Sequence, residues 1–223
     1  MNLQKKSFAL EPNCLAGKIV LLTGATGDLG SEVAKELTNF GAEVILLGRN
    51  KKKLEALYDE LLEIGPEGAI YVTDLLKMGI KEVEDLKAHI QNLFGRLDAI
   101  VFCTGKWGTL TPIEHYPEHQ WLEIMHLNLN VPFLLIKNLL PLLKQSAQGT
   151  LVLTESPLAF EAKAFHGAFN CAQFGLRALI EMLQQELEHT SVQVKGFNPQ
   201  VFQSKLRRLL FPGDLNEYPE PSA

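Results

Sequence analysis

Cysteine is scarce in this 223-residue chain, and the few present form no recognisable pattern. Only Cys14, Cys103 and Cys171 occur; no two stand in a CxxC arrangement, and an odd number cannot pair completely. Neither a disulfide framework nor a zinc site is therefore indicated, since both depend on suitably spaced cysteines. We expect a reducing compartment, with Cys103 and Cys171 as buried small residues whose thiols are not activated.

Long apolar runs and broad positive charge are also missing. The richest apolar segment, 131–143, is interrupted by Lys137 and Asn138, and the apolar run near the N-terminus covers only 8–10. Neither a membrane-spanning helix nor a signal-peptide core is indicated. A net charge of −5 gives no basic field of the kind that binds nucleic-acid phosphates. We therefore expect a soluble, cytoplasmic protein that binds neither nucleic acid nor membranes.

Short apolar runs alternate with longer amphipathic segments, which is typical of βαβ units that build a parallel sheet. Nearly continuous Val, Ile and Leu in the short runs suit strands that are covered on both faces. The length of the chain fits one large α/β domain and two small ones only with difficulty. Six strands are predicted, over residues 18–23, 43–47, 69–73, 99–103, 150–154 and 192–197.

Periodic apolar residues mark two of the helices between these strands. They recur at helical spacing over 54–62 and 176–187, and such stripes normally face the core. The last residues are rich in proline and lack periodicity, which favours a loose tail. The predicted boundaries are an N-terminal extension over 1–14, one domain over 15–210 and a C-terminal tail over 211–223.

The first predicted strand ends in a glycine-rich turn that leads directly into a helix. Residues 23–30 read Thr-Gly-Ala-Thr-Gly-Asp-Leu-Gly. In such turns the glycines permit a tight bend, a close approach of the backbone to a pyrophosphate, and close packing of helix on strand. Glycines also serve bare turns, but strand, turn and helix stand here in the order that a dinucleotide site requires. The predicted cofactor-binding residues are Gly24, Thr26, Gly27, Asp28, Leu29 and Gly30.

Asp28 is the acidic residue of this turn. Facing inward, its carboxylate would lie near the pyrophosphate. The alternatives are a side chain that points to solvent or one that caps the start of the helix, a role that aspartate fills well. We favour the cap.

A basic cluster follows the second predicted strand. Arg49 and Asn50 come directly after it and precede the lysines 51–53. NAD sites usually carry an acidic residue here to bind the ribose 2′-hydroxyl, whereas an arginine can pair with the 2′-phosphate of NADP. The alternative is a solvated basic helix start, but positive charge there opposes the helix dipole. We therefore predict that Arg49 and Asn50 bind NADP(H) in preference to NAD(H).

Together with motifs further along, these features resemble the short-chain dehydrogenases/reductases from about residue 15 to 204. The spacing of the turn is closer to the family's TGxxGxxG variant than to its TGxxxGxG pattern. The resemblance implies a Rossmann-type doubly wound parallel α/β sheet with strand order 3-2-1-4-5-6. Because only 23 residues follow Gln200, we expect the family's usual seventh strand to be absent, and residues 205–211 to be a remnant of its substrate-loop helix.

The resemblance also assigns further cofactor contacts. Asp74 and Leu75 follow the third strand and would contact the adenine. Cys103, Thr104 and Gly105 follow the fourth strand, in place of the family's Asn-Ala-Gly. Pro199 precedes Gln200, where the family has glycine. Ser204 resembles the hydroxyl residue that follows this segment. The additional cofactor-binding residues implied are Asp74, Leu75, Cys103, Thr104, Gly105 and Pro199.

The family's proton-transfer pair is missing from its usual position. Members use a tyrosine as general acid/base and a lysine four residues later, with a serine and an asparagine as further catalytic residues. The serine and asparagine fall on Ser156 and Asn128, but Phe169 and Gln173 replace the tyrosine and lysine. Phenylalanine has no ionisable atom and glutamine carries no charge. Carbonyl reduction by the family route should therefore be severely impaired.

Two nearby side chains are considered as substitutes. His166 would share a helix face with Phe169 if the helix were continuous, and histidine titrates in a useful range, although a surface histidine is the commoner case. Glu155 is predicted to face solvent at a strand end.

Three functions remain open at this point. The first, which we favour, is an NADP(H)-binding pseudoenzyme that acts as a metabolite sensor, scaffold or partner subunit. The second is an active NADP(H)-dependent oxidoreductase on a small carbonyl or hydroxyl substrate, with His166 as the replacement acid. The third is an interaction module without cofactor. The resemblance also implies a homodimer formed through the long helices that contain Asn128 and Phe169.

Overall fold

The computed structural model describes residues 11–214 and 216–221, and a six-stranded parallel sheet forms its centre. The strand order is β3-β2-β1-β4-β5-β6, and all neighbouring strands are parallel. The predicted sheet and its order are confirmed, each strand end lies within one residue of its prediction, and the described residues add no seventh strand. The strands are β1 (Ile19–Thr23), β2 (Glu43–Gly48), β3 (Ala69–Val72), β4 (Ala99–Phe102), β5 (Gly149–Thr154) and β6 (Val192–Phe197).

Helices cover both faces of this sheet, because successive residues of a strand point to opposite sides. One face packs against α1 and α2, and the other packs against α3, α5 and α6. The predicted apolar stripes lie in α2 and α6, and most of their residues are buried in these two cores. The helices are α1 (Asp28–Asn39), α2 (Lys51–Leu62), α3 (Ile80–Phe94), α4 (Glu118–Met125), α5 (Val131–Leu143), α6 (Gly167–Glu186) and α7 (Lys205–Leu210), and a π-helical turn (His126–Asn130) joins α4 to α5.

The described part of the segment after α7 folds back on that helix. The Gln203 N–H donates to the Pro219 carbonyl at 2.8 Å. The Arg207 guanidinium pairs with Asp214 and lies 4.1 Å from the centre of the Tyr218 ring. The loose tail was predicted from proline content and the lack of periodicity, neither of which reveals these contacts. The domain boundaries themselves remain predictions, and residues 1–10 of the N-terminal extension lie outside the described residues.

A buried carboxylate joins the amino-terminal end of the sheet to neighbouring loops. Asp98 accepts hydrogen bonds from the Ile19 N–H (3.0 Å) and the Ser146 hydroxyl (2.6 Å). It also lies 3.6 Å from the Lys18 ammonium and 3.3 Å from Arg96 Nε. Burial alone would raise the pKa of Asp98, but these hydrogen bonds and charges outweigh burial and hold the pKa below its usual value.

Asp98→Asn should therefore destabilise the protein at neutral pH, by about 1–3 kcal/mol in the free energy of unfolding. Since the folded pKa is depressed, the contribution of Asp98 is fully present above the unfolded pKa of about 3.9 and is lost as pH falls through the folded pKa. Urea denaturation over a pH series measures this. The exposed Asp59→Asn serves as the control, and equal stability of wild type and Asp98→Asn at neutral pH would contradict the account.

Candidate cofactor and active site

The glycine turn after β1 is packed so closely that two of its residues must lack a side chain. Gly24 has φ +68°, and a Cβ there would lie 2.8 Å from Thr104 Oγ1. A Cβ on Gly30 would lie 2.1 Å from the Gly24 carbonyl oxygen, a distance that van der Waals radii forbid. Gly27 is the N-cap of α1 and makes no side-chain cap bond, which leaves the amides of the first turn to other acceptors. Thr26 and Leu29 are half-buried beside them.

The prediction that Asp28 caps α1 is wrong. The cap position falls one residue earlier, at Gly27, so Asp28 is the first helical residue. Its carboxylate accepts a hydrogen bond from the Lys205 N–H at 2.6 Å and lies 3.6 Å from the Lys205 ammonium. The side chain therefore faces α7, a partner that the local sequence does not indicate.

The carboxyl-terminal ends of β1 and β4 meet where the strand order reverses, which is where open α/β sheets bind ligands. Thr23 Oγ1 and Thr104 Oγ1 are buried at these ends, and neither has a hydrogen-bond partner among the described residues. Burial raises the pKa of the neighbouring Cys103 thiol to about 12, although a hydrogen bond with Thr154 acts in the opposite direction. Burial therefore disfavours the Cys103 thiolate, and the two threonine hydroxyls are left without hydrogen bonds among the described residues.

The adenine side of this cleft carries an exposed arginine. Arg49 follows β2 and forms no ion pair with any described residue. The side chain of Asn50 is already used, because it caps α2 by accepting from the Lys53 N–H at 3.1 Å. Asp74 similarly accepts from the Leu76 N–H at 3.2 Å, beside the buried Leu75. Arg49 is therefore free to meet a phosphate.

At the opposite end of the cleft, a stacked aromatic pair lies where the resemblance predicts the family's tyrosine. The buried Phe169 ring lies against Trp107, with 3.9 Å between ring centroids and 20° between planes. Phe211, just after α7, meets Trp107 edge-on at 6.4 Å. The sequence did not reveal the role of Trp107, because an aromatic pair formed by two distant segments leaves no local sequence pattern. The only sequence feature that could have pointed to Trp107 is its position two residues after Gly105.

The three polar residues around this pair are bound to backbone groups. Gln173 is buried, and its side-chain oxygen accepts from the Ser156 N–H at 2.9 Å. The Ser156 hydroxyl accepts from the Leu158 N–H at 3.2 Å. Asn128, within the π-helical turn, accepts from the Lys106 N–H (2.9 Å) and donates to the Lys106 carbonyl (2.7 Å). These side chains hold the walls of the cleft in place, and none of them carries a titrating proton at this end.

His166 lies beside the cleft but outside the helix. Because α6 begins at Gly167, the continuous helix face shared with Phe169 is not formed. The His166 ring meets Trp107 edge-on at 5.7 Å, and its Nδ1 lies 2.9 Å from the Ala164 carbonyl oxygen. One ring nitrogen is thus committed to the backbone.

Two predictions about neighbouring residues are wrong. Glu155 does not face solvent: it is buried, its carboxylate lies 3.4 Å from the Arg177 guanidinium, and its N–H donates to the Phe197 carbonyl at 2.8 Å. A buried carboxylate requires such a partner, and the sequence did not place Arg177 here. Cys171 is exposed rather than buried, because it lies on the side of α6 that faces away from the core.

Gln200, beside the predicted nicotinamide position, has a positive φ, which glycine adopts more readily than other residues. It stands at the position where the resemblance predicts the family's glycine, and its φ is +64°. Its N–H donates to the Asn198 side-chain oxygen at 2.9 Å, which holds a conformation that most residues avoid.

Within residues 11–214 and 216–221, no group of His, Cys, Asp or Glu side chains is arranged to hold a metal ion. Over the same residues, no helix is both long and apolar enough to span a membrane.

Comparison with known proteins matches this arrangement to one family. The family model described as short chain dehydrogenase matches residues 18–214. The oxidoreductase YciK of Escherichia coli is 31% identical over 199 residues, which cover 89% of this chain and 79% of YciK. A Shigella flexneri short chain dehydrogenase complexed with NADP superposes with a TM-score of 0.91 at 30% identity, covering 95% and 89% of the two chains. An Escherichia coli short chain dehydrogenase complexed with NADPH superposes with a TM-score of 0.90 at 30% identity. The superposition covers 94% of this chain and 88% of the other.

Proposed function

The chain belongs to the short-chain dehydrogenase family, and from this we propose that it binds NADP(H) yet lacks the proton transfer by which such enzymes reduce carbonyls. The observation that carries the proposal is the buried Phe169 ring stacked on Trp107. A group that donates or accepts a proton must lie within hydrogen-bond reach of the reacting atom. A packed phenyl ring at this position has nothing to donate.

The residues at the turn fit a dinucleotide. Gly24 and Gly30 let the turn pack directly against the end of β4 and the start of α1, and the uncapped start of α1 offers N–H groups and a positive dipole end to a pyrophosphate. The orphaned hydroxyls of Thr23 and Thr104 lie at the same strand ends, where a bound group would relieve their missing hydrogen bonds. Arg49 is exposed and unpaired among the described residues, which suits the 2′-phosphate that distinguishes NADP from NAD.

Bound NADPH would supply a hydride, so the protein's own task would be to bind, orient and protonate a carbonyl compound. Asn128 and Gln173 preserve the walls of the cleft through backbone hydrogen bonds. Gln173 carries no charge that could lower the pKa of a neighbouring acid. The loss of a positioned acid/base group alone costs about 10²–10⁴ in rate. We therefore favour a role as a metabolite sensor, scaffold or partner subunit over that of a carbonyl reductase.

We further propose that the protein is a homodimer. The helices α4, α5 and α6, which surround Asn128 and Phe169, expose several large apolar side chains, and exposed apolar surface of this kind marks interaction sites. These side chains are Leu122, Phe133, Phe174 and Met182.

Titration calorimetry together with NADPH oxidation tests the main proposal. Wild type should bind NADP⁺ but show no NADPH oxidation with a panel of aldehydes and ketones. Phe169→Tyr combined with Gln173→Lys should raise the rate, because it returns the missing acid and its cationic neighbour. Turnover by wild type that disappears in His166→Ala would instead establish the replacement-acid mechanism. Absence of NADP⁺ binding at high protein concentration would favour an interaction module without cofactor.

Arg49→Ala should weaken NADP⁺ binding about 10- to 100-fold, the range expected when a hydrogen-bonded charge pair is lost, while leaving NAD⁺ affinity nearly unchanged. Calorimetry with both nucleotides measures this. Lys52→Ala, which removes an exposed charge from the same helix start, controls for net charge. Equal losses for NADP⁺ and NAD⁺, or for both variants, would argue against a specific 2′-phosphate contact.

Sedimentation equilibrium tests the dimer. Wild type should sediment as a dimer, and Phe174→Glu should shift it toward monomer, because the new carboxylate would have to be buried in an apolar contact. Lys144→Glu, an exposed change at the end of α5, should leave the mass unchanged. A monomeric wild type would contradict the proposal.

A further inference from the structure

The loop that follows β4 is held on both sides of Trp107. Before Trp107, the Lys106 N–H donates to the Asn128 side chain at 2.9 Å, and the Lys106 carbonyl accepts from the same side chain at 2.7 Å. After Trp107, the N–H and the hydroxyl of Thr109 both donate to the Gln120 side-chain oxygen at 3.0 Å. Asn128 lies in the π-helical turn and Gln120 in α4, so both ends of the loop are fixed to the same wall of the cleft.

Gly108 brings this loop as close to that wall as a backbone can come. A Cβ on Gly108 would overlap the Tyr116 hydroxyl oxygen. The Lys106 ammonium also pairs with Glu123 of α4. Because hydrogen bonds, an ion pair and close packing all hold the loop, the side chain between these anchors cannot swing away without breaking several contacts at once.

The indole of Trp107 covers the Phe169 ring. The two ring centroids are 3.9 Å apart and the planes differ by 20°, which is van der Waals contact, so no atom fits between the rings. Phe169 is 5% exposed, whereas Trp107 is only partly buried against the same apolar cluster. Trp107 therefore forms the outer layer, and a compound that approaches Phe169 from the cleft meets the indole first.

Both positions from which a proton could come at this end of the cleft contact the same indole. One is the ring position of Phe169, where a tyrosine would carry its hydroxyl, and the other is His166, whose ring meets Trp107 edge-on at 5.7 Å. Proton transfer requires the carbonyl oxygen within about 3 Å of its donor. A substrate that reached either donor would therefore need part of the volume that the indole occupies.

We propose that Trp107 excludes carbonyl compounds from this end of the cleft by filling the volume that proton transfer would require. The inference rests on the proposed function and adds to it, because the cleft then lacks the space for a substrate as well as the acid. The glycine turn lies at the other end of the cleft, so this exclusion leaves cofactor binding intact. Removing the indole opens an apolar space for flat aromatic compounds, since apolar cavities in proteins bind small aromatic molecules.

Turnover in a repaired background measures this exclusion. Phe169→Tyr with Gln173→Lys should gain little activity toward benzaldehyde. Adding Trp107→Ala should raise kcat/KM for benzaldehyde about tenfold or more, since one methylene of excess volume in a packed pocket already changes kcat/KM about 10- to 200-fold. Acetaldehyde, which needs less volume, should gain less. Trp121→Ala in the same background is the matched control, because Trp121 packs edge-on against Tyr116.

Calorimetry without nucleotide gives a readout that needs no turnover. Trp107→Ala should bind indole, which restores the ring that was removed, and benzaldehyde should displace the bound indole. Wild type should bind neither compound. Trp107→Leu is a milder change that serves if Trp107→Ala does not fold, and it should show the same gain toward benzaldehyde in smaller measure. Both variants should keep the NADP⁺ affinity of wild type.

Three results would overturn the inference: equal gains for benzaldehyde and acetaldehyde, the same gain from Trp121→Ala, or no indole binding by folded Trp107→Ala. Failure of wild type to bind NADP⁺ would overturn the proposed function, whereas indole binding to Trp107→Ala without nucleotide decides the exclusion separately. Wild-type turnover of acetaldehyde but not benzaldehyde would count against the missing proton transfer alone.

Discussion

The contact between Gly30 and the Gly24 carbonyl is the constraint on which the rest of the site depends. A side chain at residue 30 would lie 2.1 Å from that oxygen, so α1 can approach β1 this closely only with glycine there. The approach directs the start of α1 at the crevice where the strand order reverses between β1 and β4. Arg49, Thr104 and the α7 segment are all arranged around that crevice.

The two ends of the cleft differ in the physical state of their polar groups. At the phosphate end, two threonine hydroxyls, the first amides of α1 and the Arg49 guanidinium lack partners among the described residues. At the nicotinamide end, Asn128 and Gln173 are satisfied by the backbone and Phe169 is packed against Trp107, while the buried Tyr116 hydroxyl in the same cluster lacks a hydrogen-bond partner among the described residues. The satisfied Asn128 and Gln173 and the packed Phe169 support binding without proton transfer from these three positions.

The sequence revealed features that depend on local chemistry and missed those that depend on distant partners. Strands, their order and the glycine turn follow from short apolar runs, from family resemblance and from the steric requirements of neighbouring residues. Glu155 was placed in solvent because its partner Arg177 lies 22 residues away, and Asp28 was taken for a cap because α7 cannot be located from local sequence. Trp107 was missed for the same reason. The sequence showed that Phe169 has no acidic group, but it did not show that Trp107 packs against the Phe169 ring.

A crystal structure of the protein with NADP⁺ tests the central claim most directly. The account predicts the pyrophosphate on the first turn of α1, the 2′-phosphate on Arg49, and the Trp107–Phe169 pair at the proton-transfer position, with no titratable side chain within about 3.2 Å of a carbonyl placed at the nicotinamide. A histidine, tyrosine or carboxyl group within that reach would contradict the claim, as would a cofactor bound elsewhere or not at all.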